Sequence, residues 1–272
     1  MLLEPQVVNG KARIASNLAV ESPSLRLPLN GSAKPLAPAR PRNQVLATLP
    51  ADVWLRVAPH IGHALLIQGR ALHEAGKPVE QVYFPNGGLI SLVVDSRTGA
   101  RVETGLVGRE GMTGAFEALN DVAMSYRAIV QIAGTACWLP ADVLRAEFRR
   151  GGEFQDWMLR YLQWMNAQAA QGVLCNRLHS VEERLARWLL MVRDRMANDE
   201  VPITHEAIAH MLGTRRSSVT VALGNFEHEG YLHCARGRLE ILNAHGLQGS
   251  ACECYAALHA HGALLHGHQP DA

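Results

Sequence analysis

The 272-residue sequence predicts an α+β fold in successive blocks. Three observations carry this reading. Residues 43–150 alternate short apolar runs with frequent glycines, residues 151–178 hold apolar positions at helical spacing, and residues 203–242 pair two short helices with a basic hairpin. Residues 1–42 and 246–272 read as tails.

The first tail holds Pro5, Pro23, Pro28, Pro35, Pro38 and Pro41, with six Lys/Arg against two Glu. Such a basic, proline-rich segment lacks the apolar content to offset its ordering entropy, and is expected to be disordered. Residues 43–150 open with a short helical piece within Gln44 to Ile61. Strand-like runs follow at His63–Gln68, Glu80–Phe84, Gly88–Asp95, Arg101–Val107, Ala128–Ile132 and Thr135–Leu139. Short strands between regular turns predict a jelly roll or barrel.

In residues 151–178 the spacing changes to four and three. Phe154, Met158, Tyr161, Met165, Gln168, Gly172 and Cys175 form a coiled-coil-like seam, the first six expected to be a dimer interface. A helix packing only on its own domain is the alternative. Trp157 and Trp164 lie on other faces and are expected against the roll. Ser180 with Glu183 makes a capping box for a helix running to Met196, whose Val181, Leu185, Trp188, Leu189 and Val192 face a core.

Thr204 is positioned to cap a helix with Ile208, Met211 and Leu212 on one face. Gly213 makes the turn, and Thr214 is placed to cap a second helix built on Val219, Ala222, Leu223 and Phe226. The other face of that helix carries Arg215, Arg216, Ser217, Ser218, Thr220 and Val221. Gly230 ends it, and two alternating strands follow with Arg236 and Arg238 at their tip. Helix, turn, helix and basic hairpin in this order make a winged helix-turn-helix, which lays its second helix in a DNA major groove. Arginine can fork two hydrogen bonds onto guanine, and serine or threonine reaches bases or phosphates. Residues 203–240 carry four Arg against four Glu, and the net charge is +1, so the DNA reading rests on where the arginines sit.

The segment THEAIAHMLGTRRSSVTVALGNFEHEGYL, from Thr204, resembles the helix-turn-helix signature of the Crp/Fnr family of bacterial transcription regulators. CNRLHSVEERLARWLLMVRDRM, Cys175 to Met196, resembles the segment preceding it. VYFPNGGLISLVVDSRTGARVETGLVGREGMTG, Val82 to Gly114, resembles the sensor domain of a divergent branch. The resemblance spans about residues 43–255 and implies domains at 43–150 (a cyclic-nucleotide-binding-like β-roll), 151–178 (a dimerisation helix) and 179–245 (a Crp-type winged domain). It implies a homodimer reading a near-palindrome in double-stranded DNA, with Arg216 the main guanine reader, Ser217 beside it, and Thr220 and Val221 one turn on. The family's cyclic AMP receptor has Glu and Arg where this chain has Ser217 and Val221, so the operator is expected to differ. RNA polymerase and an unidentified small-molecule effector are the further partners such a regulator would meet.

A cyclic-nucleotide pocket needs a turn of free N–H groups, a Glu for the ribose and an Arg for the phosphate. Gly108, Glu110 and Gly111 offer the turn and the Glu, and Arg127 offers the Arg. The 17 residues from Glu110 to Arg127 exceed the family's cassette, so a cyclic nucleotide is not expected. With no Cys before Cys137, neither is an iron–sulfur cluster held by an N-terminal cysteine group. Cys252 and Cys254 supply two ligands, an incomplete metal site. His259, His261, His266 and His268 read as surface histidines, and no metal is expected. No phosphate loop, HExxH or GxSxG is present, so no catalytic residues are assigned and no enzyme is expected. No apolar run is long enough to span a bilayer and no secretory leader is evident, so a cytoplasmic location without a membrane partner is expected. The competing reading is a small-molecule-binding or protein-interaction module whose winged domain does not read DNA.

Overall fold

Residues 39–99 and 101–265 are described by the computed structural model. The expected tail lies outside these residues up to position 38, as do His266 and His268.

The N-terminal domain begins with α1 (Gln44–Thr48) and α2 (Ala51–Val57). Asn43 caps α1 by accepting from the Val45 and Leu46 N–H groups, and its Nδ2 donates to the Pro85 and Gly111 carbonyls at 2.8 and 3.0 Å. One fully buried amide thus ties the helix to two turns of the roll. The strands are β1 (Gly62–Leu66), β2 (Ala71–His73), β3 (Gln81–Asp95), β4 (Arg101–Val107) and β5 (Arg127–Pro140). They pair antiparallel in the order β1-β5-β3-β4, with β2 on β5. Helices α3 (Ala115–Asn120) and α4 (Ala141–Arg149) complete the domain.

Two expectations change here. The pairs of short strands predicted at 80–95 and 128–139 are the continuous strands β3 and β5. The Pro85-Asn86-Gly87-Gly88 stretch signals a turn but acts as a run of bulges, with register shifts between Pro85 and Leu89. Bulges bend a strand without ending it, which is what a rolled sheet requires. The bend needs glycine at two places. Gly88 has φ +84°, and a Cβ on Gly134 would sit 2.2 Å from the Gly87 carbonyl oxygen.

Helix α5 (Glu153–Leu178) leads through His179 into α6 (Val181–Met196), which opens with the expected Ser180/Glu183 capping box. The winged domain adds β6 (Glu200–Val201), α7 (His205–Leu212), α8 (Arg216–His228), β7 (Leu232–Ala235) and β8 (Arg238–Ile241), its sheet ordered β6-β8-β7. The expected tail from 246 is helical as far as it is described. Helices α9 (Ala244–Gly249) and α10 (Cys254–Leu265) follow the wing, and α10 packs on α5 and α6. Leu247 and Leu258 are buried there. The apolar residues of α10 form no single stripe and are interrupted by histidines and a glycine, so periodicity does not reveal this helix.

The dimer seam predicted on α5 is also corrected. Phe154, Met158, Tyr161 and Gln168 are buried against the protomer's own roll, and Met165 is partly buried beside them. The Tyr161 hydroxyl donates to the Met112 carbonyl at 2.6 Å and accepts from the Met112 N–H at 2.9 Å. Gln168 accepts from the Leu106 N–H at 3.0 Å. Periodicity finds an apolar face but not what covers it, and here the roll covers it. Gly172 is partly buried and makes no such contact. The outward side of α5 exposes Leu159, Asn166, Ala170, Val173 and Arg177, with Leu162 half-buried along it.

One apolar core crosses the domain boundary. Leu89, Val93, Leu106, Ile129 and Ile132 of the sheet pack in the same cluster as Trp188, Leu189, Ile208 and Leu212. Replacing Gly134 with Ala should lower unfolding free energy by about 1–3 kcal/mol, the cost of forcing atoms into a filled backbone contact. Denaturant melts would show this, and an unchanged midpoint would mean the bend tolerates a side chain.

Candidate nucleic-acid interface and the junction behind it

Thr204 caps α7 as expected, accepting from the Ala207 N–H at 3.2 Å, and Gly213 closes it with φ +60°. Thr214 does not cap α8. The cap position falls on Arg215, whose side chain makes no capping bond; the Ser218 N–H donates to the Arg215 carbonyl at 3.1 Å, and the Arg216 and Ser217 N–H groups are left open. An uncapped, cation-flanked helix N-terminus suits an anion, because its N–H groups and dipole both point that way.

Val219, Ala222, Leu223 and Phe226 bury the inner face of α8. Arg215, Arg216, Ser217, Thr220 and Val221 are exposed on the other face and Ser218 is partly so. Arg216 Nε lies 4.0 Å from Glu206, a loose, solvated pair. The Thr220 hydroxyl donates to the Arg216 carbonyl at 3.1 Å and lies 3.0 Å from His205 Nδ1, which orients it along the helix. Val221, 64% exposed, offers an apolar surface of the kind that meets a thymine methyl. In the wing, Gly237 takes φ +77° between Arg236 and Arg238, both exposed. Arg238 approaches Glu200 at 3.7 Å, while among the described residues Arg215 and Arg236 have no acidic partner within salt-bridge distance. The predicted DNA-facing residues of α8 and the wing are thus exposed or partly exposed, with Thr204 at the start of α7 and Thr214 between the two helices.

The predicted effector residues are not gathered into one pocket. Arg127 is held by Glu74 at 2.7 Å and Asp95 at 3.3 Å. Glu110 accepts from the Gly108 N–H at 3.1 Å and pairs with Arg195 of α6 at the same distance. A Cβ on Gly111 would strike the Tyr161 ring. The cassette-like loop therefore meets helices of this chain, and its Glu is already neutralised. Beside it lies a cavity of about 300 Å³ lined by Glu110, Trp164, Met191, Arg195, Tyr255 and Leu258 among others. Glu110 Oε2 and Trp164 Nε1 are buried there without a hydrogen-bond partner.

Residues that sequence reasoning missed sit behind the interface. Arg195, mostly buried, donates to Gln168 Oε1 at 3.1 Å and the Met191 carbonyl at 3.1 Å, and lies over the Trp164 ring at 5.4 Å. Glu103 of β4 accepts from Trp188 Nε1 at 2.9 Å and from Ser91 at 2.6 Å. A second missed group is Cys175, His179, Cys252 and Cys254, whose ligand atoms all lie within 4.8 Å of one another. A Cys-x3-His spacing at 175–179, set beside the Cys-x-Cys at 252–254, is the signal that was available.

The geometry defines a class of protein: a rolled-sheet domain joined through a long helix to a winged helix-turn-helix whose basic face is open. Residues 183–249 match the Crp-like helix-turn-helix domain family. The fold is that of Crp/Fnr family regulators. A regulator of that family from Eubacterium rectale matches with TM-score 0.59 at 16% identity, over 76% of this chain and 96% of its own. FixK2 from Bradyrhizobium japonicum matches with TM-score 0.61 at 15% identity, over 71% and 98%. A CRP family transcriptional regulator from Thermus thermophilus matches with TM-score 0.57 at 22% identity, over 70% and 99%. No curated protein matches the chain by sequence. No helix among the described residues is long and apolar enough to cross a membrane.

Burial pushes the Glu103 carboxyl up to about 7 from its ordinary 4.5, against the opposing pull of the Ser91 and Trp188 hydrogen bonds. A raised carboxyl favours the protonated fold, so the stability it contributes is fully present below 4.5 and is lost as pH rises through about 7. Glu103→Gln should therefore melt above wild type at about pH 8, with the gap closing towards about pH 5. Parallel melting profiles across that range would remove Glu103 from the junction's energetics.

Proposed function

We propose that the chain is a sequence-specific, DNA-binding transcription regulator of the Crp/Fnr type, acting as a homodimer on a near-palindromic operator. The observation that carries this reading is the open basic face of the winged domain. Two arginines, an uncapped helix N-terminus and a row of hydroxyls project from α8, with a second arginine pair at the wing tip. Among the described residues the arginines of that face meet carboxylates only in two loose, exposed pairs, Arg216–Glu206 at 4.0 Å and Arg238–Glu200 at 3.7 Å. In this reading Arg216 and Ser217 face base edges, Val221 meets a thymine methyl, and Arg236 and Arg238 hold phosphates.

The dimer surface we assign is the outward side of α5: Leu159, Leu162, Asn166, Ala170 and Val173. Leu159 and Val173 are 52% and 72% exposed, and the spacing of three and four continues from one to the other. Two such helices side by side would present their recognition helices to successive major grooves, about 34 Å apart. The roll's cassette-like loop would act as a sensor through the cavity beside Glu110, which opens against α6 and α10 rather than within the roll. The two orphaned polar atoms there would have to be met by a small polar effector.

Binding-site selection from random duplexes at stated salt tests the reading, and a two-half-site palindrome is the expected outcome. Arg216→Ala should then cost about 1–3 kcal/mol and relax one base position, whereas Arg236→Ala should weaken all sequences alike and flatten the salt dependence. Loss of neither affinity nor specificity in both variants would move the interface elsewhere. Val173→Glu should lower dimer content by light scattering with the melting point little changed. Met158→Glu should instead destabilise the protomer itself, and the reverse pattern would restore the inward seam.

A further inference from the structure

We propose that Cys175, His179, Cys252 and Cys254 form a closed, mononuclear zinc site that fastens the C-terminal segment to the hinge between α5 and α6.

Each residue offers one ligand atom, and the four converge from distant parts of the chain. Cys175 lies in the last turn of α5 and His179 is the residue at which the chain leaves it. Cys252 and Cys254 precede and open α10. Cys175 Sγ lies 3.6 Å from Cys252 Sγ, and Cys254 Sγ lies 3.5 Å from His179 Nδ1. Zinc binds thiolate sulfur at about 2.3 Å and imidazole nitrogen at about 2.0–2.1 Å, so the edges of a Cys3His tetrahedron measure about 3.4–3.8 Å. Two of the six edges already stand at that length, and all four ligand atoms lie within 4.8 Å of one another, so small side-chain adjustments close the tetrahedron. A disulfide would need sulfurs about 2.0 Å apart. Clusters of two or four irons spread their protein ligands over more than one iron, which four ligand atoms all within 4.8 Å of one another do not allow. A soft, thiolate-rich tetrahedral donor set selects zinc among the common divalent ions.

The surroundings independently fit a metal thiolate. His179 Nε2 lies 3.1 Å from the Glu253 carboxylate, which fixes the proton on Nε2 and aims the Nδ1 lone pair at the sulfurs. Gln171 Nε2 donates to Cys254 Sγ at 3.1 Å, a hydrogen bond suited to a charged sulfur. Arg184 and Arg187 of α6 are each only 9% exposed; among the described residues neither has a carboxylate within salt-bridge distance, and both lie close enough to the sulfurs to act on them electrostatically, Arg187 also on Glu103. The Nε of each is buried without a partner. Buried guanidinium needs a counter-charge. Three thiolates around one zinc leave a net negative charge next to them, supplied when the thiol protons pass to solvent on binding. Cys175 and Cys254 are fully buried and Cys252 is 5% exposed, so four protein ligands enclose the ion and the site is structural, with no position kept for water.

The test needs no DNA, so its result is separate from the regulator reading. The full chain, purified under reducing conditions, should contain one zinc per chain by elemental analysis. After chelation, cobalt(II) should restore the visible absorption of a tetrahedral thiolate complex, and zinc should displace it. Glu253→Gln and Gln171→Ala should keep the site with zinc affinity about 10–100-fold weaker. Cys175→Ser with Cys254→Ser should abolish binding, and Cys234→Ser should not. If the double variant fails to fold, cobalt spectroscopy on the wild-type chain still decides. Chelated protein that is folded by circular dichroism yet binds neither ion would overturn the proposal. So would stoichiometric zinc in the double variant, iron in place of zinc, or a Cys175–Cys252 disulfide in protein prepared without oxygen.

Discussion

Arg195 is the point on which the two halves of the molecule agree. A guanidinium placed in a largely apolar junction must be answered on every side, since an unmet buried charge would cost more than the local packing supplies. Its answers come from three elements: Glu110 beyond β4, Gln168 of α5 and the backbone of α6 itself. Trp164 covers its face. Displacing any of these elements would strand the charge, so the roll, the long helix and the winged domain's first helix hold one mutual arrangement. Gln168 has a double duty here, pairing with both Arg195 and the Leu106 N–H, which explains why a polar residue interrupts an otherwise apolar face.

In the proposed reading the same junction would link sensing to DNA contact in physical terms. The sheet and the winged domain share one hydrophobic cluster, and α7 packs on β4, with Gly213 facing Val102. Glu103 adds a titrating group to that contact through Trp188. A change at the cassette-like loop would reach the helix-turn-helix through Glu110, Arg195 and α6, a short and contiguous path of packed groups.

Local chemistry was legible in the sequence, and long-range partnership was not. The cap at Thr204, the left-handed Gly213, the capping box of Ser180 and Glu183, and the hairpin turn at Gly237 are decided by residues within a few positions of one another. These elements are found where the pattern placed them. The reading failed wherever the deciding partner lay far off in sequence. Gly87 and Gly134 look like turns until the two backbones are seen to cross at a bulge. The apolar face of α5 looks like a dimer seam until the roll is placed against it. Cys252 and Cys254 look like half a site until the end of α5 arrives with Cys175 and His179. Thr214 shows the limit within local chemistry as well, because the helix starts one residue later than its hydroxyl would favour.

The meeting of Cys175 with Cys252, 77 positions apart, has a topological consequence. Everything that touches DNA in the proposed reading lies on a stretch of chain whose two ends come back to the same place. The winged domain is thus a closed loop set on the end of α5, not a free terminal appendage. With zinc bound at that base in the proposed site, its binding energy favours the folded domain without adding a contact inside it, because the assembled site does not exist in the unfolded chain. A cut at the wing tip would leave two fragments still moored at one base, and a domain tethered in this way can be turned only as a unit about that base.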